Sequence, residues 1–451
     1  MKKKNYLTAI MKKRRANRMI DIQNITSIEP SQLLDKVREI KEDGYKFSQA
    51  CACKTENGFE LLYSFDNEVH LISLKFKINS EESIDSITYV YWTAFSDELN
   101  MVKTHGLNFK HVSSEHAENY YNFHELTSYM DNPTEYIKAM AEYKNYSQMV
   151  YVAERMPGTC SFGNSLGYCL AVEKAMEIKV PERAEYLRVI IHELSRIQSH
   201  LLRLSSLAKS IGNESLAVMC LKEREKFLDI FDKIAGSRIM LSLCRIGGLK
   251  RDISNKTLDE ISDVLDEFKM GADKLYNMFT SDVSVRRRLM GIGYLDKKSA
   301  ESFCIGSAAK GSGIFRDART DENFSVYGKI GFEPVTEENG DCFARCKVKI
   351  REILQSKEIV EKVIEEIPDG DVFVDFKEFK AGEAAIRIEQ PEGQSLYYVK
   401  TSDSEFLKCI DIKLPDAANI LGFVRTAKGC DFVDVPVLAQ TMDTCVKDLK
   451  W

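Results

Sequence analysis

At 451 residues the chain is long enough for two or three domains. With 44% hydrophobic and 29% charged residues it has the composition of a globular protein with sizeable cores, which excludes a mini-protein and a disordered chain. The formal net charge is −6, yet residues 1–20 carry eight Lys or Arg and no acid, leaving 55 basic against 69 acidic residues in the remainder. No apolar run approaches the roughly 18 to 20 residues that a membrane span needs.

The basic tail, residues 1–21, lacks the long apolar stretch and small-residue cleavage site of a secretory signal and reads as a solvated arm. An anionic membrane surface or an acidic partner is the other reading. Nucleic-acid binding does not fit an acidic body without aromatic-basic interleaving.

From Pro30 to Glu42, Leu33, Val37 and Ile40 share one face, with Pro near the start and Gly44 at the end, which predicts an amphipathic helix. Phe59 to Phe65 and Val69 to Ile78 predict two strands of a hairpin turning at Asp66-Asn67-Glu68. Ile87 to Trp92 predicts a third strand, and Asp97 to Lys103 a charged helix. Residues 22–112 therefore read as a small α/β domain, and the polar stretch 113–134 as a linker.

Downstream, residues 135–451 are mainly helical. Leu187, Ile190, Leu194, Ile197, Leu201, Leu204, Ala208 and Ile211 recur at alternating spacings of three and four, the buried stripe of a long helix from Pro181 to Ile211 closed by Gly212. Further helices are predicted over 215–235, 258–279 and 347–367, packed antiparallel around a shared core. Asp371 to Phe376, Ala385 to Glu389, Leu396 to Thr401 and Leu407 to Leu414 read as short strands, with a turn at Ser402-Asp403-Ser404. The fold class is thus α+β, a small α/β domain followed by a helical bundle with a small C-terminal β region. Neither a GxGxxG nor a P-loop pattern is present.

Twelve cysteines occur without one CxxC, and in a long chain without a leader they read as reduced cytoplasmic thiols. Cys160, near a helix start and close to Arg155, reads first as a small buried hydrophobe, the alternative being a thiol of lowered pKa. His200 follows Arg196 by one helical turn and Glu193 by two, and borders the apolar stripe, where a hydrogen-bonded core role is the ordinary one. Cys445 and Asp448, three apart near the end, pair a soft with a hard ligand, an unusual set for one ion.

These segments carry a resemblance that spans most of the chain. Glu154-Arg155, SFGNSLGYCLAVEK at 161–174, VPERAEYLRVIIHELSRIQSHLLRL at 180–204, EREKFLDIF at 223–231 and RIGGLKRD at 245–252 appear in order. Asp317, Arg319, Tyr327, NGD at 339–341, Arg345 and DIKLPDAANI at 411–420 follow. Together they resemble the catalytic large subunit shared by respiratory complex I and the membrane-bound, energy-converting [NiFe] hydrogenases. The N-terminal FELLYSFD (59–66) and SITYVYWTAFSDELN (86–100) resemble the small α/β companion subunit of the same complexes, so the chain looks like a fusion of the two.

The resemblance implies an iron-sulfur small subunit as partner, with the cluster held by that partner, and membrane ion-translocating subunits beyond it. It implies a peripheral station on the inner, cytoplasmic face of the cell membrane. It places Arg155 and His200 beside the partner's cluster, where a cation and a hydrogen-bond donor tune its potential. The two Cys-x-x-Cys pairs that hold Ni and Fe in hydrogenases are incomplete. The first reads Pro157-Gly158-Thr159-Cys160 and the second ends Asp443-Thr444-Cys445-Val446-Lys447-Asp448, so Cys160 and Cys445 stand as vestigial ligands and the set argues against a Ni-Fe centre. The Pro-Arg-Gly-Glu motif becomes Pro391-Glu392-Gly393-Gln394. The quinone-contacting tyrosine of complex I falls on Gly158 and the histidine hairpin is missing, which leaves quinone binding open.

The expectation is a fused peripheral-arm subunit that docks an iron-sulfur partner and couples electron transfer to ion movement, with Arg155, His200, Asp443 and Asp448 as the responsive charges and the two aspartates as the catalytic candidates. The alternatives are a quinone-reducing subunit, a hydrogenase subunit with an altered metal site, and a scaffold without chemistry.

Overall fold

The computed structural model describes residues 25–67, 70–111, 133–156, 160–322, 324–376 and 378–444. The chain falls into two compact units divided near residue 130, with the stretch Asp321–Phe324 belonging to the first. The tail 1–21 lies outside the described residues, as does the expected linker up to residue 132. Helix begins at Pro133, inside the predicted linker.

In the first unit, α1 (Leu33–Glu42) follows a 3₁₀ turn that opens with Pro30 and is closed by a Glu29/Gln32 capping box, and it buries Leu33, Val37 and Ile40 as the spacing predicts. Four strands, β1 (Ile25–Ser27), β2 (Lys46–Thr55), β3 (Gly58–Asp66) and β4 (Leu71–Asn79), form a sheet of order β1-β4-β3-β2. The β2-β3-β4 meander is antiparallel and β1 runs parallel to β4. Strand β2 escapes the sequence reading because KFSQACACKT alternates small residues rather than bulky β-branched ones. α2 (Phe95–His105) completes a core of Leu33, Val37, Leu61, Tyr63, Phe65, Phe76 and Met101.

The strand predicted over 87–92 is a turn instead. Val90 and Tyr91 both donate their amides to Ile87 O, at 2.9 and 2.8 Å. The buried Glu98 carboxylate takes the Ile87 amide at 3.0 Å and Ser86 Oγ at 2.6 Å, so a side chain closes the backbone that a ladder would otherwise have filled. The strand that precedes it in sequence is the short β5 (Ser83–Asp85), parallel to β6 (Asn108–Lys110).

The second unit is built from α3 (Tyr146–Glu154), α4 (Ser161–Met176), α5 (Glu182–Ser210), α6 (Glu214–Ala235), α7 (Asn255–Ser281) and, further on, α10 (Cys342–Glu366). The 29-residue α5 is about 44 Å long at 1.5 Å per residue. It turns into α6 through Gly212 in the left-handed region and Asn213, whose side chain caps the Leu216 amide. Between α7 and α10 lie α8 (Val283–Leu289) and the short α9 (Gly306–Lys310). β9 (Glu383–Gln390), β10 (Gly393–Lys400) and β11 (Cys409–Lys413) make an antiparallel sheet lying on α4. Gly167 of α4 permits this, because a Cβ there would stand 2.3 Å from the Tyr397 ring.

Residues 371–376 do not form the predicted ladder strand. They run against the hairpin of β7 (Cys244–Arg245) and β8 (Gly248–Leu249), with Leu249 N on Val372 O at 2.8 Å and Val374 N on Gly247 O at 2.9 Å. A side chain at Gly248, whose φ is +142°, would collide with Val372 O. Among the described residues, no helix is long and apolar enough to cross a membrane.

A buried charge network as the candidate functional site

Helix α5 buries polar residues on several sides, and this departure from an ordinary apolar stripe builds the site. Lys310, the last residue of α9, places its ammonium among Asp317 Oδ2 at 2.8 Å, Glu352 Oε1 at 2.7 Å and Glu389 Oε1 at 2.8 Å. Arg319 grips Asp317 through Nε at 2.9 Å and Nη2 at 2.8 Å, and Glu193 through Nη1 at 3.0 and 3.1 Å. Arg196 donates to Glu352 Oε2 at 3.0 Å and to the Glu389 carbonyl at 3.0 Å. His200 Nε2 meets the same Glu352 oxygen at 2.9 Å. Tyr327 donates to Glu193 at 2.5 Å and lies 2.9 Å from His192 Nδ1. Every one of these side chains is buried.

Burial works against each charge, and the neighbours decide the outcome. It opposes the Lys310 ammonium, but Asp317, Glu352 and Glu389 hold its pKa above the ordinary lysine value. It also pushes Glu352 upward, where Lys310, Arg196 and His200 prevail and keep it well below the usual carboxylate range. Asp317 and Glu193 are likewise lowered against burial, chiefly by Arg319. For Glu389 burial wins over Lys310 and the pKa rises. Burial lowers His200 despite its Glu352 partner, and takes His192 down to about 3.

A second buried group surrounds Asp443. Its carboxylate pairs with Lys349 and accepts Ser307 Oγ at 2.5 Å, while Arg203 stands 4.0 Å from it and 3.5 Å from Glu392. Asp443 itself sits in the left-handed region at φ +55°.

The sequence candidates are therefore dispersed. His200 belongs to the Lys310 network and Asp443 to the second cluster. Arg155, at the C-terminal end of α3, is exposed and donates to Tyr151 O at 3.1 Å. Cys160 is the small buried residue of the favoured reading, and the alternative of a lowered thiol pKa is overturned: burial first, then the negative Glu392, push it up to about 12. Pro157, Gly158, Thr159, Cys445 and Asp448 lie outside the described residues, and among those described no group of three or more His, Cys, Asp or Glu is arranged to hold a metal ion. Cys51, Cys160, Cys169, Cys220, Cys244, Cys304, Cys342, Cys346 and Cys430 are free thiols.

Tyr151, whose carbonyl accepts from Arg155, bonds Lys250, and Glu154 bonds Ser242, so segment 239–250 and the stretch paired with it at Phe373 lie near Arg155. Tyr151 is 40% exposed, Ile239 58% and Phe373 39%, with Met240 and Val374 also at the surface. Lys250 lies over the Tyr151 ring at 4.1 Å and Arg245 over Phe373 at 4.4 Å. Sequence reasoning did not find this face, nor Lys310, Glu352 and Glu389. A lysine set in the small-residue run GSAAKGSG and a glutamate on the buried side of α10 were the available signals.

The family described as respiratory-chain NADH dehydrogenase, 49 Kd subunit, matches residues 210–381. The alpha subunit of the membrane-bound hydrogenase of Pyrococcus furiosus is 32% identical, over 67% of this chain and 75% of that protein. The D subunit of the F(420)H(2) dehydrogenase of Methanosarcina mazei is 31% identical, over 69% of this chain and 86% of its own. The C/D subunit of the NADH-quinone oxidoreductase of Phocaeicola vulgatus is 30% identical, over 69% of this chain and 61% of its own.

Proposed function

Because the chain belongs to the family of the respiratory-chain NADH dehydrogenase 49 Kd subunit, we propose that it serves as the peripheral-arm subunit of a complex I-like membrane oxidoreductase. In this reading the face around Arg155 docks an iron-sulfur subunit. The observation that carries it is that exposed face, where Tyr151, Ile239 and Phe373 stand beside Arg155, Arg245 and Lys250. Exposed aromatics with cations among them suit a protein interface rather than bulk water. Electron arrival in the partner would then act on the buried charges of α5, and through them on an ion-translocating membrane partner.

The 22–112 unit is read as the fused companion subunit, in keeping with its own sheet and core and with a relative whose name joins the letters C and D. No Ni-Fe centre is assigned to the chain, because each of the two segments that would hold it keeps a single cysteine, Cys160 and Cys445. Charge reversal at the face, R155E with I239E, tests the docking: the expected result is loss of the iron-sulfur subunit from the purified complex with the chain still folded. Unchanged co-purification would sink the proposal. Elemental analysis of the same complex is expected to show no stoichiometric nickel.

A further inference from the structure

The Lys310 network is unbalanced. Four buried carboxyl groups, Glu193, Asp317, Glu352 and Glu389, face three permanent cations, Arg196, Lys310 and Arg319. An uncompensated charge in a water-excluded interior is costly, and the usual relief is a proton.

The partners show which group is least compensated. Glu193 holds Arg319 and receives the Tyr327 hydroxyl, with Arg196 at 3.5 Å. Asp317 is gripped twice by Arg319 and again by Lys310. Glu352 has Lys310, Arg196 and His200. Glu389, on β9, has one third of a shared ammonium and a backbone amide, Ala318 N at 3.1 Å, while Arg196 reaches only its carbonyl. The charged groups facing it are Lys310 from α9, Asp317 from the following segment, Arg196 from α5 and Glu352 from α10.

Space for water lies at Lys310, the partner of Glu389, though Glu389 itself does not line it. A cavity of about 20 Å³ lies against Lys310, lined by Gly306, Arg316, Gln394 and Glu301, and this is room for about one water molecule.

We infer that Glu389 is a proton-loading site, carrying a proton at neutral pH and exchanging it with solvent through the cavity at Lys310. A proton from bulk water forms the O–H bond at a Glu389 carboxyl oxygen, and the three-cation, four-carboxyl cluster passes from one net negative charge to none. Burial raises the pKa of this carboxyl alone among the four, in the same sense. The inference concerns the chain itself and stands whether or not an iron-sulfur partner docks at Arg155.

The infrared difference spectrum of the full-length wild-type chain minus E389Q tests it at neutral pH. The expected result is a positive band from a protonated carboxyl, displaced within mixing time on transfer to D₂O. E389Q, which supplies a neutral side chain of the same shape, keeps the wild-type denaturation midpoint, whereas E352Q lowers it. A difference spectrum with carboxylate bands only overturns the assignment, as does an E389Q chain that unfolds as readily as E352Q or fails to fold. A band that shifts in D₂O only after unfolding overturns the solvent path.

Discussion

Lys310 and Glu352, 42 positions apart in sequence, meet at 2.7 Å in an interior that leaves each about 2% exposed. Neither would be tolerated alone. Replacing Lys310 with methionine leaves Asp317 with Arg319 and Glu352 with Arg196 but removes the ammonium they share with Glu389, and the expected loss is about 3 kcal/mol. Urea unfolding of K310M should show it at neutral pH, with part of the loss recovered on acidification as the carboxyls take up protons.

The Asp443–Lys349 pair gives a sharper comparison, because each partner can be removed by itself. D443N leaves a buried ammonium beside Ser307, and K349M leaves a buried carboxylate. Each is expected to cost about 3 kcal/mol or more, and the double variant distinctly less than their sum. A double-mutant cycle in thermal unfolding reads the coupling, and additive losses would contradict the pairing.

In the first unit, pH should act through Glu98. Burial raises its carboxyl from 4.5 to about 7, against the lowering by Ser86, Ile87 and Tyr63. A folded-state pKa above the unfolded one means that the group's full contribution is present below about 4.5 and is lost as pH rises through about 7. The span corresponds to about 3 kcal/mol. Denaturation of wild type and E98Q between these limits should show a slope in the first and its disappearance in the second. Glu352, Asp317 and Glu193 have the opposite sign: their contribution is full above the ordinary carboxylate range and is lost progressively as pH falls from that range to their lowered pKa values.

Packing of the C-terminal sheet on α4 is tested at Gly167. The Cβ of G167A would meet the Tyr397 ring, which is fully buried and cannot swing away. A loss of about 1 to 3 kcal/mol is expected, partly relieved in G167A/Y397L. Thermal unfolding of the three variants measures it.

The helices and most strands were legible because apolar spacing writes itself into sequence: Leu33, Val37 and Ile40, or the stripe from Leu187 to Ala208, leave no other period. What failed to show was decided by partners remote in sequence. Ile87 to Tyr91 carries strand-forming residues, yet Glu98 bonds its backbone into a turn. The extended segment at 371–376 was foreseen as a strand, but its bonds go to a glycine hairpin more than a hundred residues earlier. Asp317, Arg319 and His200 stood out as motif letters, while Lys310, Glu352 and Glu389, which join them, come from three separate stretches that only the fold assembles. At Cys160 the reading as a small buried hydrophobe holds, and its enclosure raises the thiol pKa against the lowering that a position near a helix start could bring.

Arg188 ties these parts mechanically. Its guanidinium is clamped by Glu173 of α4 and donates to the carbonyls of Arg245 and Gly248, while Glu173 also holds the Gly247 amide. The hairpin that presents Arg245 to solvent is thus fastened to the helix that carries Glu193, Arg196 and His200. From Arg188 to His200 that helix runs about 18 Å without a break. The hairpin and the buried network therefore share one uninterrupted helix as their common support.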